Sequence, residues 1–407
     1  MRILVTGGAG FIGSHLVEKL LAAGHEVSIL DDFNDFYDPQ IKRANIAAVA
    51  GDVSIHRVDL RDSAGVNLLF HREKFDAIVH LAARAGVRPS ISQPQLYYDT
   101  NVSGTLHLLE AARHVGIERF VFASSSSVYG ICHEVPFSED FNLTQTISPY
   151  AATKVAGEFL CSTYSHLYQM RIVALRFFTV YGARQRPDLA IHQFTRKIDA
   201  GQPIDQFGDG TTRRDYTYID DIIQGVTAAL EYHGPLYDLF NLGESETIQL
   251  KELIAAIENA LGKKAKINQL PEQPGDVPLT CADISKARKL LGYNPTTKLS
   301  EGLPKFVDWF RTCSRGRWSR PTLGEISYGR DHRSRLQRKR ASSPPPGLDR
   351  VPDLLRNYVH VAKTPNPGGA TGGRDSGGRM AQRASPAWLG RRPLCCHARP
   401  CPFFRGT

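Results

Sequence analysis

Seven residues near the start of the chain restrict its fold more than any other feature. Gly7-Gly8-Ala9-Gly10-Phe11-Ile12-Gly13 directly follows the apolar run Ile3-Leu4-Val5 and opens a helical pattern over 14–23, which Gly24 stops. Gly7, Gly10 and Gly13 have G-x-x-G-x-x-G spacing. Between a strand and a helix, such a loop lets backbone N–H groups approach a pyrophosphate at the helix N-terminus, where the dipole favours negative charge. The triplet alone is weak; the strand–turn–helix context is what the reading requires. A tight turn without ligand is the competing reading.

The rest of the first half repeats that alternation. Apolar runs at 27–30, 55–58, 77–79 and 120–123 read as strands, with helices predicted over 101–114 and 148–168 and a further strand over 171–178. Short buried strands alternating with amphipathic helices predict an α/β fold, a Rossmann-type doubly wound parallel sheet with helices on both faces. After Phe178 glycine, proline and charge interrupt the elements, which predicts a smaller α/β substrate domain. The expected boundaries are 1–178 for the dinucleotide-binding domain, with 216–235 packing back onto it, and 179–313 for the substrate domain.

Charge separates the body from the tail. The 407-residue chain is formally +9, but 314–407 holds 19 Lys+Arg and 5 Asp+Glu, a net of +14, leaving −5 for the body. A basic nucleic-acid groove in the body is therefore not expected. In 314–407, Arg outnumbers Lys 17 to 2 and apolar periodicity is lost. That composition supports no packed core. The segment reads either as a disordered natural tail or as a frameshift product of GC-rich DNA. Its Cys395-Cys396-His397…Cys401 cluster is a weak metal candidate, and no metal site is expected. The body cysteines show neither metal spacing nor a disulfide framework. The chain opens on a strand with no secretory pattern, and no apolar run approaches the roughly 20 residues of a membrane helix. A cytoplasmic protein without membrane partners is expected.

Three further features carry chemistry. Asp31 ends the second strand, where a carboxylate accepts hydrogen bonds from adenosine ribose hydroxyls and repels a 2′-phosphate. That favours NAD over NADP; Asp32 shares the role or caps a turn. Asp59-Leu60 is placed to hold the adenine, although Asp59 alone also suits a turn. Tyr150 and Lys154 lie four apart on one helical face. A nearby ammonium would lower the phenol's pKa and fit it for acid–base work. The serine cluster Ser124-Ser125-Ser126-Ser127 ends an intervening strand, and one hydroxyl there could bridge Tyr150 to a substrate oxygen.

These residues resemble the extended short-chain dehydrogenase/reductases, specifically the NAD-dependent nucleotide-sugar epimerases. The matching segments are TGGAGFIGSH (6–15), Asp31, HLAA (80–83), Asn101, SSSSVYG (124–130), YAATK (150–154), LRFFTVYG (175–182), RRDYTYIDD (213–221), PGDV (274–277) and Ala282-Asp283. They span about 1–312 and exclude the tail. The resemblance implies Tyr150 as the base for the sugar 4-OH, Lys154 on the nicotinamide ribose and Ser125 as the hydrogen-bonding hydroxyl. It implies NAD contacts from Gly7, Gly10, Phe11, Ile12, Gly13, Asp31, Asp59, Leu60, Leu81, Ala82, Ala83, Asn101, Ser124, Tyr150, Lys154 and Phe177. Arg214 would clasp the diphosphate and Asp276 the nucleotide ribose. A homodimer through the 101–114 and 148–168 helices is also implied.

Two departures refine the match. Gln273 stands where hexose 4-epimerases carry a second phosphate-binding arginine, and Thr179 replaces the asparagine of the RxFN pattern. With AGVRPS (85–90) and GARQRPDLA (182–190), they resemble UDP-glucuronate 4-epimerases. A uronate carboxylate needs several donors, and Ser126, Ser127 and Thr179 could supply them, with Arg88 near and Arg186 among the substrate contacts. Related dehydratases need an Asp-Glu pair where Ser126-Ser127 stands. The expectation is C4 epimerisation of UDP-glucuronate to UDP-galacturonate. UDP-glucose epimerisation is the alternative, decarboxylation or dehydration a further one, and a non-catalytic nucleotide-binding protein with an RNA-binding tail the remote one.

Overall fold

The computed structural model describes residues 1–272 and 277–313. The expectations for 314–407, the cysteine cluster at its end, Gln273 and Asp276 lie outside the described residues.

β1 (Arg2–Thr6), α1 (Phe11–Ala22), β2 (Glu26–Leu30), α2 (Pro39–Ile46), β3 (Ser54–His56), α3 (Ser63–Arg72) and β4 (Ala77–His80) alternate strictly. α4 (Val87–Ser92), α5 (Pro94–Tyr98) and α6 (Gly104–Val115) precede β5 (Arg119–Ser125), and α7 (Pro149–Tyr168) precedes β6 (Arg171–Phe177). Then come β7 (Thr179–Tyr181), α8 (Ala190–Asp199), β8 (Pro203–Phe207), β9 (Arg213–Tyr218), α9 (Ile219–Glu231), β10 (Tyr237–Leu242), β11 (Thr247–Gln249), α10 (Leu250–Leu261), β12 (Lys266–Leu270), α11 (Ser285–Leu291) and α12 (Leu299–Thr312). The helix expected at 101–114 begins at Gly104, after a wider π turn over Asp99–Ser103. Ser148 caps α7, its hydroxyl accepting the Ala151 N–H at 3.1 Å.

Seven parallel strands form the main sheet in the order β10-β6-β5-β4-β1-β2-β3. The chain winds one way through β1, β2 and β3 and the other way through β4, β5 and β6. The crossover leaves a crevice at the carboxyl ends of β1 and β4. The seventh strand comes from Tyr237–Leu242, a contribution the sequence pattern does not reveal. Alternation along the strands fills both faces. On β5, Phe120 and Phe122 pack with Leu4, Leu108 and Ile172 on one side, and Val121 and Ala123 with Ile3, Val5 and Val173 on the other. Each buried phenylalanine contributes about 1.5–3 kcal/mol. α1 and α9 pack on each other on the second side, so the 219–231 helix covers the first half of the chain. Smaller sheets, β11-β9-β7 and β12-β8, lie beyond β6 in sequence. Among the described residues no helix is long and apolar enough to cross a membrane.

Candidate active site

A cleft of about 340 Å³ opens where β1 and β4 diverge. Thr6 pairs with His80 across these strands, and Gly7 and Leu81, the next residues, both line the cleft. His80 is buried between two hydroxyls, its Nδ1 2.7 Å from Thr6 Oγ1 and its Nε2 3.0 Å from Thr105 Oγ1. Burial pushes its pKa down to about 3, so the ring is neutral. Thr6 Oγ1 also accepts the Ala82 N–H at 3.2 Å, which fixes the strand end on the cleft wall.

The glycine loop is shaped for close approach. Gly7 has φ +69°, and a Cβ there would lie 2.9 Å from the Ala82 Cα. A side chain is excluded twice, by conformation and by space. Asp31 is buried at the end of β2 and lines the same cleft. The Phe33 N–H and the Lys42 Nζ both bond its Oδ1 at 2.9 Å. Its Oδ2 takes neither and remains available to a ribose. A glycine cradle that admits no Cβ and a buried carboxylate with an open oxygen fit NAD. Asp59 also lines the cleft, with its carboxylate on Arg61 and the Arg61 N–H, so it serves the turn as well.

Tyr150 and Lys154 enter the cleft from α7. Burial raises the Tyr150 pKa above its ordinary value, while the Ser125 hydroxyl and the Arg186 charge draw it down. Lys154 is also tied into the cleft wall. Its Nζ donates to the Ala123 carbonyl at 2.7 Å, and burial lowers its own pKa to about 8. The Arg186 charge also bears on Tyr150; its guanidinium is held by Asp188 at 3.0 and 2.7 Å and stands 5.2 Å from the Phe36 ring. The i, i+4 spacing places both side chains on one face of α7, and the Lys154 tip bonds the Ala123 carbonyl.

A buried polar network underlies this wall. Glu158 takes a two-pronged ion pair from Arg176 at 2.9 and 2.8 Å, and the Ser124 hydroxyl at 2.5 Å. Ser124 is thus a wall residue as well as a support. Asn101 is not among the cleft-lining residues. Its Oδ1 accepts the Arg84 N–H at 2.8 Å, and its Nδ2 donates to the Arg84 carbonyl and to Thr153 Oγ1, so it braces the 81–86 wall against α7.

A second pocket of about 160 Å³ shares Thr179 with the cleft. Arg88, Ser126, Ser127, Ser148, Arg214 and Thr280 line it, and no described lining residue is acidic. Arg88 also stands over the Phe207 ring at 4.5 Å. The structure thus gathers Gly7, Gly10, Phe11, Ile12, Gly13, Asp31, Asp59, Leu60, Leu81, Ala82, Ala83, Ser124, Ser125, Tyr150, Lys154, Phe177, Thr179 and Arg186 around the cleft. Arg88, Ser126, Ser127 and Arg214 fall in the adjoining pocket. Sequence reasoning missed Lys42, Glu158 and Arg176. Glu158 was detectable in principle, one helical turn beyond Lys154; Lys42 and Arg176 carry no such signal.

Comparison with known proteins gives consistent findings. Residues 4–306 match the family described as GDP-mannose 4,6 dehydratase. A UDP-glucuronate 4-epimerase from Thermodesulfobacterium geofontis (strain OPF15) is 43% identical over 309 residues, covering 75% of this chain and 95% of that protein. The crystal structure of a UDP-glucuronic acid 4-epimerase from Bacillus cereus, in complex with UDP-glucuronic acid and NAD, superposes with a TM-score of 0.73 at 40% identity, over 77% of this chain and 100% of that one. The UDP-glucose 4-epimerase of Thermus thermophilus in complex with NAD gives 0.71 at 36% identity, over 76% and 99%.

Proposed function

The chain belongs to the GDP-mannose 4,6 dehydratase family, and from that premise we propose that it is an NAD-dependent 4-epimerase interconverting UDP-glucuronate and UDP-galacturonate. One observation carries the substrate reading. The pocket beside Tyr150 holds two arginines and several hydroxyls, and no carboxylate among its described residues. An anionic sugar fits such a wall, and water elimination has no acid there to drive it.

In this reading the Tyr150 phenolate takes the proton of the sugar 4-OH. Ser125 holds that oxygen through its hydroxyl, and Arg186 keeps the phenolate charge tolerable in a buried site. When bound, NAD supplies the hydride acceptor for C4 and returns the same hydride, so turnover needs no net redox. Tyr150 then gives its proton back to the 4-oxygen of the rotated sugar. Arg214 holds the diphosphate with a guanidinium fork. The 4-keto uronate is a β-keto acid and loses carbon dioxide when its carboxylate bond aligns with the ketone. Ser126, Ser127 and Thr179 fix the carboxylate against that alignment.

The likeness to the Thermus UDP-glucose enzyme supports the alternative hexose reading. Incubation with UDP-glucuronate deuterated at C4 decides between them. The proposal requires galacturonate product with the label retained at C4; turnover of UDP-glucose alone would replace the substrate claim.

The assembly we propose is a homodimer. Leu106 on α6 and Phe159, Leu167 and Tyr168 on α7 are exposed, Phe159 at 65%. A second copy of this chain, presenting the same helices, would cover them.

A further inference from the structure

Lys42 has no part in the reaction proposed above, yet it is built into the cofactor cleft. Its side chain is 8% exposed, and its Nζ lies 2.9 Å from Asp31 Oδ1 and 3.6 Å from Asp32 Oδ1. α2 holds it there. Asp38 caps the helix by accepting the Gln40 N–H at 2.9 Å, and Asn45 Nδ2 donates to the Ala9 carbonyl of the glycine loop at 3.2 Å. The Tyr37 ring stands 5.6 Å from the ammonium. This is a fixed, buried cation on the wall where the loop meets the second strand.

We infer that Lys42 is a latent 2′-phosphate site, occupied in this chain by the Asp31 carboxylate. The inference rests on the proposed placement of the adenosine ribose at Asp31. The Asp31 carboxylate occupies Nζ at 2.9 Å and itself repels a 2′-phosphate of roughly −2. Neutralising Asp31 raises the local charge by one and takes from Nζ its closest charged partner. The ammonium then offers a phosphate the charge-assisted bond it now makes to Asp31. Arg57, whose Nε is 3.4 Å from the Asp32 carbonyl, adds a second cation to the same wall. In this arrangement the NAD preference is set by a carboxylate that masks its own countercharge, and Lys42 is the specificity-determining residue behind it.

The test is calorimetric titration of the full chain, freed of nucleotide, with NAD and with NADP. Asp31→Asn should tighten NADP binding about tenfold or more, since one charge-assisted hydrogen bond is worth at least that factor. Asp31→Asn combined with Lys42→Met should return NADP affinity to the wild-type level. The inference is overturned if Asp31→Asn gains nothing for NADP, or if the double variant keeps the gain. Melting curves accompany each variant, and Asp31→Ser serves the same comparison if Asn at 31 prevents folding. Failure of the wild-type chain to bind NAD at all would overturn the cofactor reading itself, and the inference with it. Failure of the inference alone leaves wild-type NAD binding intact.

Discussion

Lys154 Nζ donates to the carbonyl oxygen of Ala123 at 2.7 Å, tying α7 to the carboxyl end of β5 in the cleft wall, where both residues are buried. Burial lowers the lysine's pKa to about 8 from the ordinary 10.5. Between those values the unfolded chain binds more protons than the folded one, so stability rises with pH across that window. Lys154→Met should flatten the rise and lose turnover by about 100-fold or more. Chemical denaturation at pH 7 to 10 and initial rates check both effects. A wild-type stability that falls from pH 8 to 10 while Lys154→Met is unchanged would contradict the assignment.

Tyr150→Phe should abolish turnover and leave UDP-sugar binding largely intact. Ser125→Ala removes a hydrogen bond that draws the phenol down from a value already raised by burial. The active phenolate then forms at higher pH, so the rising limb of the kcat profile should move to the alkaline side. A limb that stays in place, or moves to lower pH, would remove Ser125 from the proton path.

For the substrate, kcat/KM with UDP-glucose should fall about two orders of magnitude below that with UDP-glucuronate. Two lost charge-assisted hydrogen bonds at roughly 1.5–3 kcal/mol each account for it. Thr179→Val should slow uronate turnover and release some pentose by decarboxylation. A panel of UDP-sugars with separation of the products is the measurement; equal rates for glucose and glucuronate would end the uronate claim.

The Glu158–Arg176 pair is almost fully buried, and Arg176 also stacks 4.7 Å from the Tyr129 ring. Glu158→Ala strands a buried guanidinium and frees the Ser124 hydroxyl. A loss of about 3–5 kcal/mol is expected, read as a lowered denaturation midpoint. Loss under 1 kcal/mol would mean the pair is solvated in solution.

Phe159→Glu should give a monomer at concentrations where the parent chain sediments as a dimer. An unchanged sedimentation coefficient would move the interface elsewhere.

Much of the fold and site is readable along the chain because it is local. The glycine spacing sets a strand–turn–helix, short continuous apolar runs set the strands, and four-residue spacing brings Tyr150 and Lys154 to one face of α7. The glycine loop and Asp31 pointed to NAD and the resemblance added the epimerase chemistry, and the relatives bear out both. The resemblance added Asn101 as well, whose side chain bonds the Arg84 backbone and Thr153.

What the sequence by itself determined is therefore the set of backbone periods and the chemical inventory at the cleft. The tertiary structure decided how that inventory pairs. Arg186 came to bear on Tyr150, Lys154 turned to Ala123, Lys42 closed on Asp31, and Arg176 met Glu158. The strand 237–242 joined the sheet beside β6. Periodicity is a property of neighbours in the chain. The strength of a charge pair depends on its separation and on how much water is removed from around it, and both are set only when distant segments close on one another.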